Sequence, residues 1–186
     1  MIPVFDHNHV TPPHIGNPTD LSQLSPYTSN SLEFVQHFAT SKERIEILNG
    51  LLRFRKRLND FGILEGFQWL DGSFTENIEV SLGRSPRDLD IVTFFNQSIL
   101  NTEQIEGISE KFKDFFDFEE SKANYKLDHY PVNYANHPIL TIESTRYWIQ
   151  LFSHNRLGVW KGIIKIELNT PDIDKQAIDY LSNLAI

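Results

Sequence analysis

Residues 66–95 read GFQWLDGSFTENIEVSLGRSPRDLDIVTFF, and two apolar runs in this stretch decide how the rest of the chain is read. The first, Phe67–Leu70, predicts a strand that runs into a Gly72-Ser73 turn. The second, Leu89–Phe95, predicts a strand opened by Asp88-Leu89-Asp90. A strand sends alternate side chains to opposite faces, so Asp88 and Asp90 point the same way, with Cα atoms about 6.6 Å apart. Two carboxylates held that close repel each other. One shared cation, or two adjacent ones, relieves the repulsion. Gly72 lets the backbone approach an anion closely, and Ser73 adds a hydroxyl donor.

Working outward, Asn30-x-x-Glu33 and Thr40-x-x-Glu43 have the form of capping boxes and predict helices over about 30–38 and 41–60. In the second, Ile45, Leu48, Leu51, Leu52 and Leu58 recur at helical spacing and predict one buried face. Gly62 and Gly66 end it. A short helix is expected after the Gly-Ser turn, finishing before Pro86. Ile105, Ile108, Phe112, Phe115 and Phe116 predict an amphipathic helix over about 102–117. A strand is predicted over 124–132, with Lys126, Asp128 and Tyr130 on one face and Tyr125, Leu127 and His129 on the other. Residues 142–152 predict a helix with Tyr147, Trp148 and Leu151 inward, and 161–168 predict another strand. Thr170-Pro171 marks the start of a last helix ending near Leu184.

Residues 1–28 hold five of the nine prolines and predict an extended N-terminal arm over a single domain, 29–186. His7, His9 and His14 fall in that arm and read as ordinary arm residues. The order of elements gives the fold class α/β (α+β), a small mixed β-sheet flanked by helices.

The combination of Gly72-Ser73, Asp88-x-Asp90 and a later strand-borne Asp128 resembles the signature of the polymerase β-like nucleotidyltransferases. The wording WLDGSFT…PRDLDIV is similar to a bacterial family of small members of that superfamily, and SHNRLGVWKGIIKIEL extends the likeness more weakly. Fourteen residues separate Ser73 from Asp88, longer than the usual spacing. The resemblance implies a nucleotidyltransferase-like fold that moves a nucleoside monophosphate from an NTP to a protein or small-molecule hydroxyl. Asp88, Asp90 and Asp128 would be the catalytic residues and would hold two Mg²⁺ ions, or Mn²⁺. Gly72 and Ser73 would bind the β/γ-phosphates at a helix N-terminus. It also implies a toxin–antitoxin or phage-defence setting with a partner protein. Lys161 and Arg156, in the weaker stretch, are candidate triphosphate contacts or plain surface cations.

Each site residue has a plainer reading as well. Asp88 is a turn residue, Asp90 an ion-pair partner of Arg84 or Arg87, Asp128 a sheet-edge residue, and Ser73 a helix cap. His129 and Trp69 read as structural. A non-catalytic nucleotide- or partner-binding module on the same fold is the alternative function. A third, an Asp-x-Asp glycosyltransferase, needs a longer chain than 186 residues.

Composition narrows the choice. Apolar residues make up 40% and charged residues 23%, as in a globular protein. There are no cysteines, which excludes disulfides, thiol nucleophiles and Cys-based zinc sites and fits a cytoplasmic location. No apolar run approaches the ~20 residues that span a bilayer, and the N-terminus lacks a signal-peptide pattern. A net charge of −8 argues against nonspecific nucleic-acid binding. The basic stretch Lys42, Arg44, Arg53, Arg55, Lys56 and Arg57 reads as a solvated helix face.

Overall fold

The computed structural model describes residues 1–184. Five strands, β1 (Tyr27–Ser29), β2 (Gly66–Asp71), β3 (Leu89–Phe95), β4 (Leu127–Asn133) and β5 (Ile164–Glu167), form one mixed open sheet in the order β1-β5-β2-β3-β4. β2 runs antiparallel to both β3 and β5, whereas β3–β4 and β1–β5 are parallel. The helices among the described residues are α1 (Ser31–Phe38), α2 (Lys42–Asp60), α3 (Ile78–Ser81), α4 (Thr102–Lys111), α5 (Phe118–Tyr125), α6 (Pro138–Phe152) and α7 (Pro171–Ser182). The α/β mixed class read from the sequence is the class observed.

The strand alternation divides the sheet into two unequal faces. Leu70, Ile91, Leu127, Ile164 and Ile166 turn to one side and join Leu48, Leu51, Phe54 and Leu58 of α2, Phe34 and Val35 of α1 and Ala177 of α7 in the main core. Trp69, Val92, Phe94 and Val132 turn to the other side, where a smaller cluster closes under Trp148 and Phe152 of α6. Most helices therefore pack on one face. The opposite face is covered mainly by α6, and the ends of its strands carry the acidic residues.

Several local expectations are corrected. α2 is capped by Ser41, whose hydroxyl accepts from the Arg44 amide, so the cap falls one residue after the predicted Thr40 and the helix starts at Lys42. Asn30 caps α1, but Glu33 turns away from the cap and accepts instead from the Ile2 amide and the Ser29 hydroxyl. The predicted long helix over 102–117 stops at Lys111. A separate helix, α5, follows, with Asp117 accepting from the Glu119 and Glu120 amides as its cap. Asn124 and Tyr125 therefore belong to a helix and not to β4, and Lys126 closes it in the left-handed region, φ 60°. α6 begins a turn earlier than predicted, with Pro138 in its first turn. Its Tyr147 and Leu151 lie on the exposed side, together with Ile139, Leu140, Ile142 and Ile149. β1 is an edge strand too short to show in the sequence, and it begins within the predicted arm. The rest of the arm lies on the domain. Thr11 Oγ1 donates to the Thr75 carbonyl at 3.0 Å, and the Asn77 amide donates to the His9 carbonyl at 2.8 Å, so the arm is bound to the segment that follows the Gly-Ser turn.

The basic stretch is not a solvated face throughout, because Arg44 and Arg55 are buried. Arg55 donates to Asp174 at 2.9 and 3.1 Å, to Gln68 Oε1 at 2.7 Å, to the Glu167 carbonyl at 2.9 Å and to Thr170 Oγ1 at 2.8 Å. One guanidinium thus joins α2, β2, the end of β5 and α7. Removing one partner of a buried pair leaves the other charge unpaired in low dielectric, at about 3–5 kcal/mol. Arg55→Met is expected to lower the unfolding free energy by about that amount in urea titration. Arg55→Met with Asp174→Leu, which removes both charges, should recover much of it. Equal losses in the single and double variants would show that the pair is not the cause.

Candidate functional site

Register brings the acidic residues together. Asp71, at the end of β2, pairs across the ladder with Asp90, and Asp90 pairs with Asp128 at the start of β4. Directly opposed residues share a face, so three carboxylates stand in a row across β2, β3 and β4 on the face covered by α6. Asp88 lies one residue before β3. β4 is an edge strand, so Asp128 does stand at the margin of the sheet. Arg84 and Arg87 are exposed and form no ion pair with Asp90.

Asp71 was not among the residues singled out in the sequence. Its carboxylate takes an ion pair from Lys161 at 3.1 Å and a hydrogen bond from Thr75 Oγ1 at 3.1 Å. Lys161 is only 3% exposed, so it is neither a surface cation nor free to reach a triphosphate. Its ammonium also donates to the Gly72 carbonyl at 2.6 Å and to Glu76 Oε1 at 3.0 Å. Burial lowers the Lys161 pKa, but Asp71 and Glu76 outweigh that and hold it above the ordinary lysine value. Arg44 ties the same turn from the other side, donating to the Phe74 and Glu76 carbonyls at 2.7 Å each and forking onto Glu79. The carbonyls of residues 72, 74 and 76 are thus held by two buried cations. Arg156 is exposed.

Gly72 sits at φ 83° and ψ −167°, a region open in practice only to glycine. A Cβ built there would lie 1.7 Å from Asp90 Oδ2. The Asp90 carboxylate therefore rests directly against the Gly72 backbone, which explains the glycine twice over. The turn continues as a single 3₁₀ turn, Ser73–Thr75, in which no side chain caps the start. The plainer reading of Ser73 as a helix cap is thereby corrected. So is the expectation of a phosphate site at the end of a regular helix, because three residues carry little macrodipole.

Gly72→Ala is expected to cost about 1–3 kcal/mol in stability through backbone strain alone, and to push the Asp90 carboxylate out of line. Ser73→Ala, with no capping bond to lose, should stay within about 0.5 kcal/mol. Thermal denaturation of the two variants side by side checks this. Equal effects would mean that the turn relaxes around the new methyl.

Electrostatics around Asp90 are unfavourable to its charge. Burial, then Asp71, Asp88 and Asp128, push its pKa up to about 7. Burial pushes Asp71 up to about 6 against the pull of Lys161. Beside them, Lys122 of α5 reaches Asp88 Oδ2 at 2.6 Å and Asp128 Oδ2 at 3.6 Å. The Asp88 carboxylate holds that ammonium above the ordinary lysine value. The other Asp128 oxygen, Oδ1, is buried and has no hydrogen-bond partner among the described residues. Tyr130, on the same face, has its phenol pushed up to about 12 by burial and by Asp128.

Among the described residues, no three His, Cys, Asp or Glu side chains stand grouped so that together they could hold a metal ion. The donor set that Asp88, Asp90 and Asp128 offer is of the chemical type that hard divalent cations take. It consists of carboxylate oxygens, one of them orphaned and one on a residue surrounded by like charges. His129 points to the other face, buried against Phe54 and Phe115, with Nε2 on Thr93 Oγ1 at 2.8 Å. It belongs to the core, as does Trp69.

The class defined by this fold and site is a mixed-sheet domain with an acidic row at the strand ends beside a glycine turn. Residues 3–167 match the profile of a family described as a family of unknown function, DUF6932, and the chain belongs to that family. No curated protein and no solved structure matches it. No helix among the described residues is long and apolar enough to cross a membrane.

Proposed function

We propose that the protein is a divalent-metal-dependent nucleotidyltransferase that moves a nucleoside monophosphate from an NTP to a hydroxyl. The observation that carries this reading is the junction of Gly72 and Asp90. A glycine turn after one strand lies against a carboxylate of the next, and Asp128 stands beside that carboxylate on the parallel strand. Such an arrangement supports a triphosphate at the turn and an acceptor near Asp128, with the carboxylates between them.

Asp88, Asp90 and Asp128 would hold the metal. Bound divalent ions supply charge neutralisation on the phosphates and a more acidic acceptor hydroxyl. The chain's own groups do the rest. Gly72 leaves room for a phosphate at the backbone, and Ser73 offers a hydroxyl donor. Asp128 accepts the proton of the acceptor hydroxyl as its oxygen bonds to the α-phosphorus and pyrophosphate leaves. Lys161 and Asp71 keep the turn at a fixed distance from Asp90, so little reorganisation is needed on binding.

A protein acceptor or partner is supported by the exposed apolar side of α6. Ile139, Leu140, Ile142, Ile149 and Leu151 lie in water on the helix that covers the face of the carboxylates. The net charge of −8 argues against a polynucleotide acceptor.

Calorimetry with ATP and with GTP, each with and without Mg²⁺, tests the reading. Nucleotide binding that requires the metal supports it. Binding that ignores the metal would favour the nucleotide-binding module instead, and no binding in any combination would remove the nucleotide altogether.

A further inference from the structure

Lys122 was not singled out in the sequence, yet it makes the closest ionic contact in the site. It bridges Asp88 and Asp128, two of the three carboxylates assigned above to the metal. The other basic side chains of the neighbourhood are engaged elsewhere or turned to solvent. Lys161 holds Asp71 and Glu76, Lys126 reaches Glu46 Oε2 at 2.8 Å, and Arg84 and Arg87 are exposed. Resting on the reading of Asp88, Asp90 and Asp128 as a metal site, we propose that Lys122 is a resident counter-cation that a divalent ion must displace, so that it sets the metal affinity of the nucleotide-free protein.

Position and freedom both suit that role. α5 is anchored at the start of β4, where Ser121 Oγ donates to the Leu127 carbonyl at 2.8 Å, and Lys126 in the left-handed conformation turns the chain back onto the strand. The anchor places residue 122 over Asp128. The lysine side chain itself is 48% exposed, so its flexible stem can swing the ammonium into water while the backbone stays in place. An ammonium 2.6 Å from Asp88 Oδ2 puts a full positive charge beside the oxygens an ion would use, so each cation repels the other and weakens its hold on the carboxylates. The metal-free site is thus kept from collecting an unpaired triple charge, at the expense of weaker metal binding. A nucleotide that brings its ion with it adds its own contacts and tips the exchange.

The test is Mn²⁺ binding to the nucleotide-free protein, followed by the electron paramagnetic resonance of free Mn²⁺, in wild type, Lys122→Gln, Lys122→Arg and Asp90→Asn. A half-exposed pair is worth on the order of 1 kcal/mol or less, so Lys122→Gln is expected to bind Mn²⁺ roughly 2–5-fold more tightly than wild type. Lys122→Arg, which keeps the charge, should remain within about two-fold of wild type. Asp90→Asn should lose the site. Unchanged or weaker Mn²⁺ binding by Lys122→Gln, with Asp90→Asn still defective, overturns the role of Lys122 and leaves the metal site standing. Tighter binding by Lys122→Arg as well would mean that charge is not what competes, and would overturn it too. If wild type, Lys122→Gln and Asp90→Asn are all unable to bind Mn²⁺, the metal site itself fails and the proposal goes with it.

Discussion

Asp128→Asn is expected to lower nucleotidyl transfer by a factor on the order of 10²–10⁴, the usual worth of a general base. An acceptor hydroxyl with a pKa far above 7 must lose its proton as it attacks, so the group that takes it acts in the transition state and little before it. Asn keeps the shape of the side chain but has neither the charge nor the basic oxygen. The change also puts an amide where Asp128 Oδ1 now has no partner. The fold should survive, because Asp128 stands on an edge strand and its only ion pair among the described residues is with the half-exposed Lys122 at 3.6 Å. Affinity for the metal–nucleotide complex should fall only a few-fold, since Asp88 and Asp90 remain. Both quantities are to be measured on one preparation. Loss of binding together with transfer would mean that Asp128 holds the nucleotide's ion, and the roles assigned to the three carboxylates would be wrong.

Asp90→Asn is expected to abolish metal-dependent nucleotide binding while making the metal-free protein more stable. Asp90 lies between Asp71 and Asp128 in the register and against Gly72, so no other residue can take its place. Its raised pKa fixes the sign of the stability change. In the unfolded chain the carboxyl ionises above about 3.8, whereas in the folded protein it stays protonated up to about 7. Folding therefore bears no penalty from this group below the lower value. The penalty grows as pH rises between the two values and is complete above the higher one. An amide never ionises, so the gain in melting temperature from Asp90→Asn in the presence of EDTA should be larger at pH 8 than at pH 5. A gain that is equal at the two pH values, or a loss at pH 8, would show that Asp90 is not strained by its neighbours.

What was legible in the sequence follows from the range of each interaction. Leu89–Phe95 has the bounds expected, because a continuous apolar run beginning at an Asp-x-Asp needs only local information. Asp90 and Asp128 come together because each opens an apolar strand, and their shared face follows from the two-residue period. Asp71 was missed although it stands immediately before Gly72. Its partner Lys161 is 90 residues away, and nothing local marks either member as buried. Arg44 and Arg55 were misread for a related reason. Charge alone predicts solvent, and their carboxylate and carbonyl partners come from distant segments. Lys122 was hidden by an error of period. Asn124–Tyr125–Lys126 alternates like a strand, but Asp117 caps a helix there and Lys126 ends it with a positive φ. The inward side of α6 was read correctly at Trp148 but not at Tyr147 and Leu151, because large apolar residues lie on both its buried and its exposed sides and do not by themselves mark Phe152 as the buried one.

The most direct measurement is transfer of label from α-³²P-labelled NTPs, with Mg²⁺ or Mn²⁺, in a cell lysate supplemented with wild type or with Asp90→Asn. The expected result is a labelled acceptor that appears with wild type, requires the metal and is absent with Asp90→Asn. No labelled acceptor above the Asp90→Asn background, with any of the four NTPs and either metal, would contradict the proposed transferase.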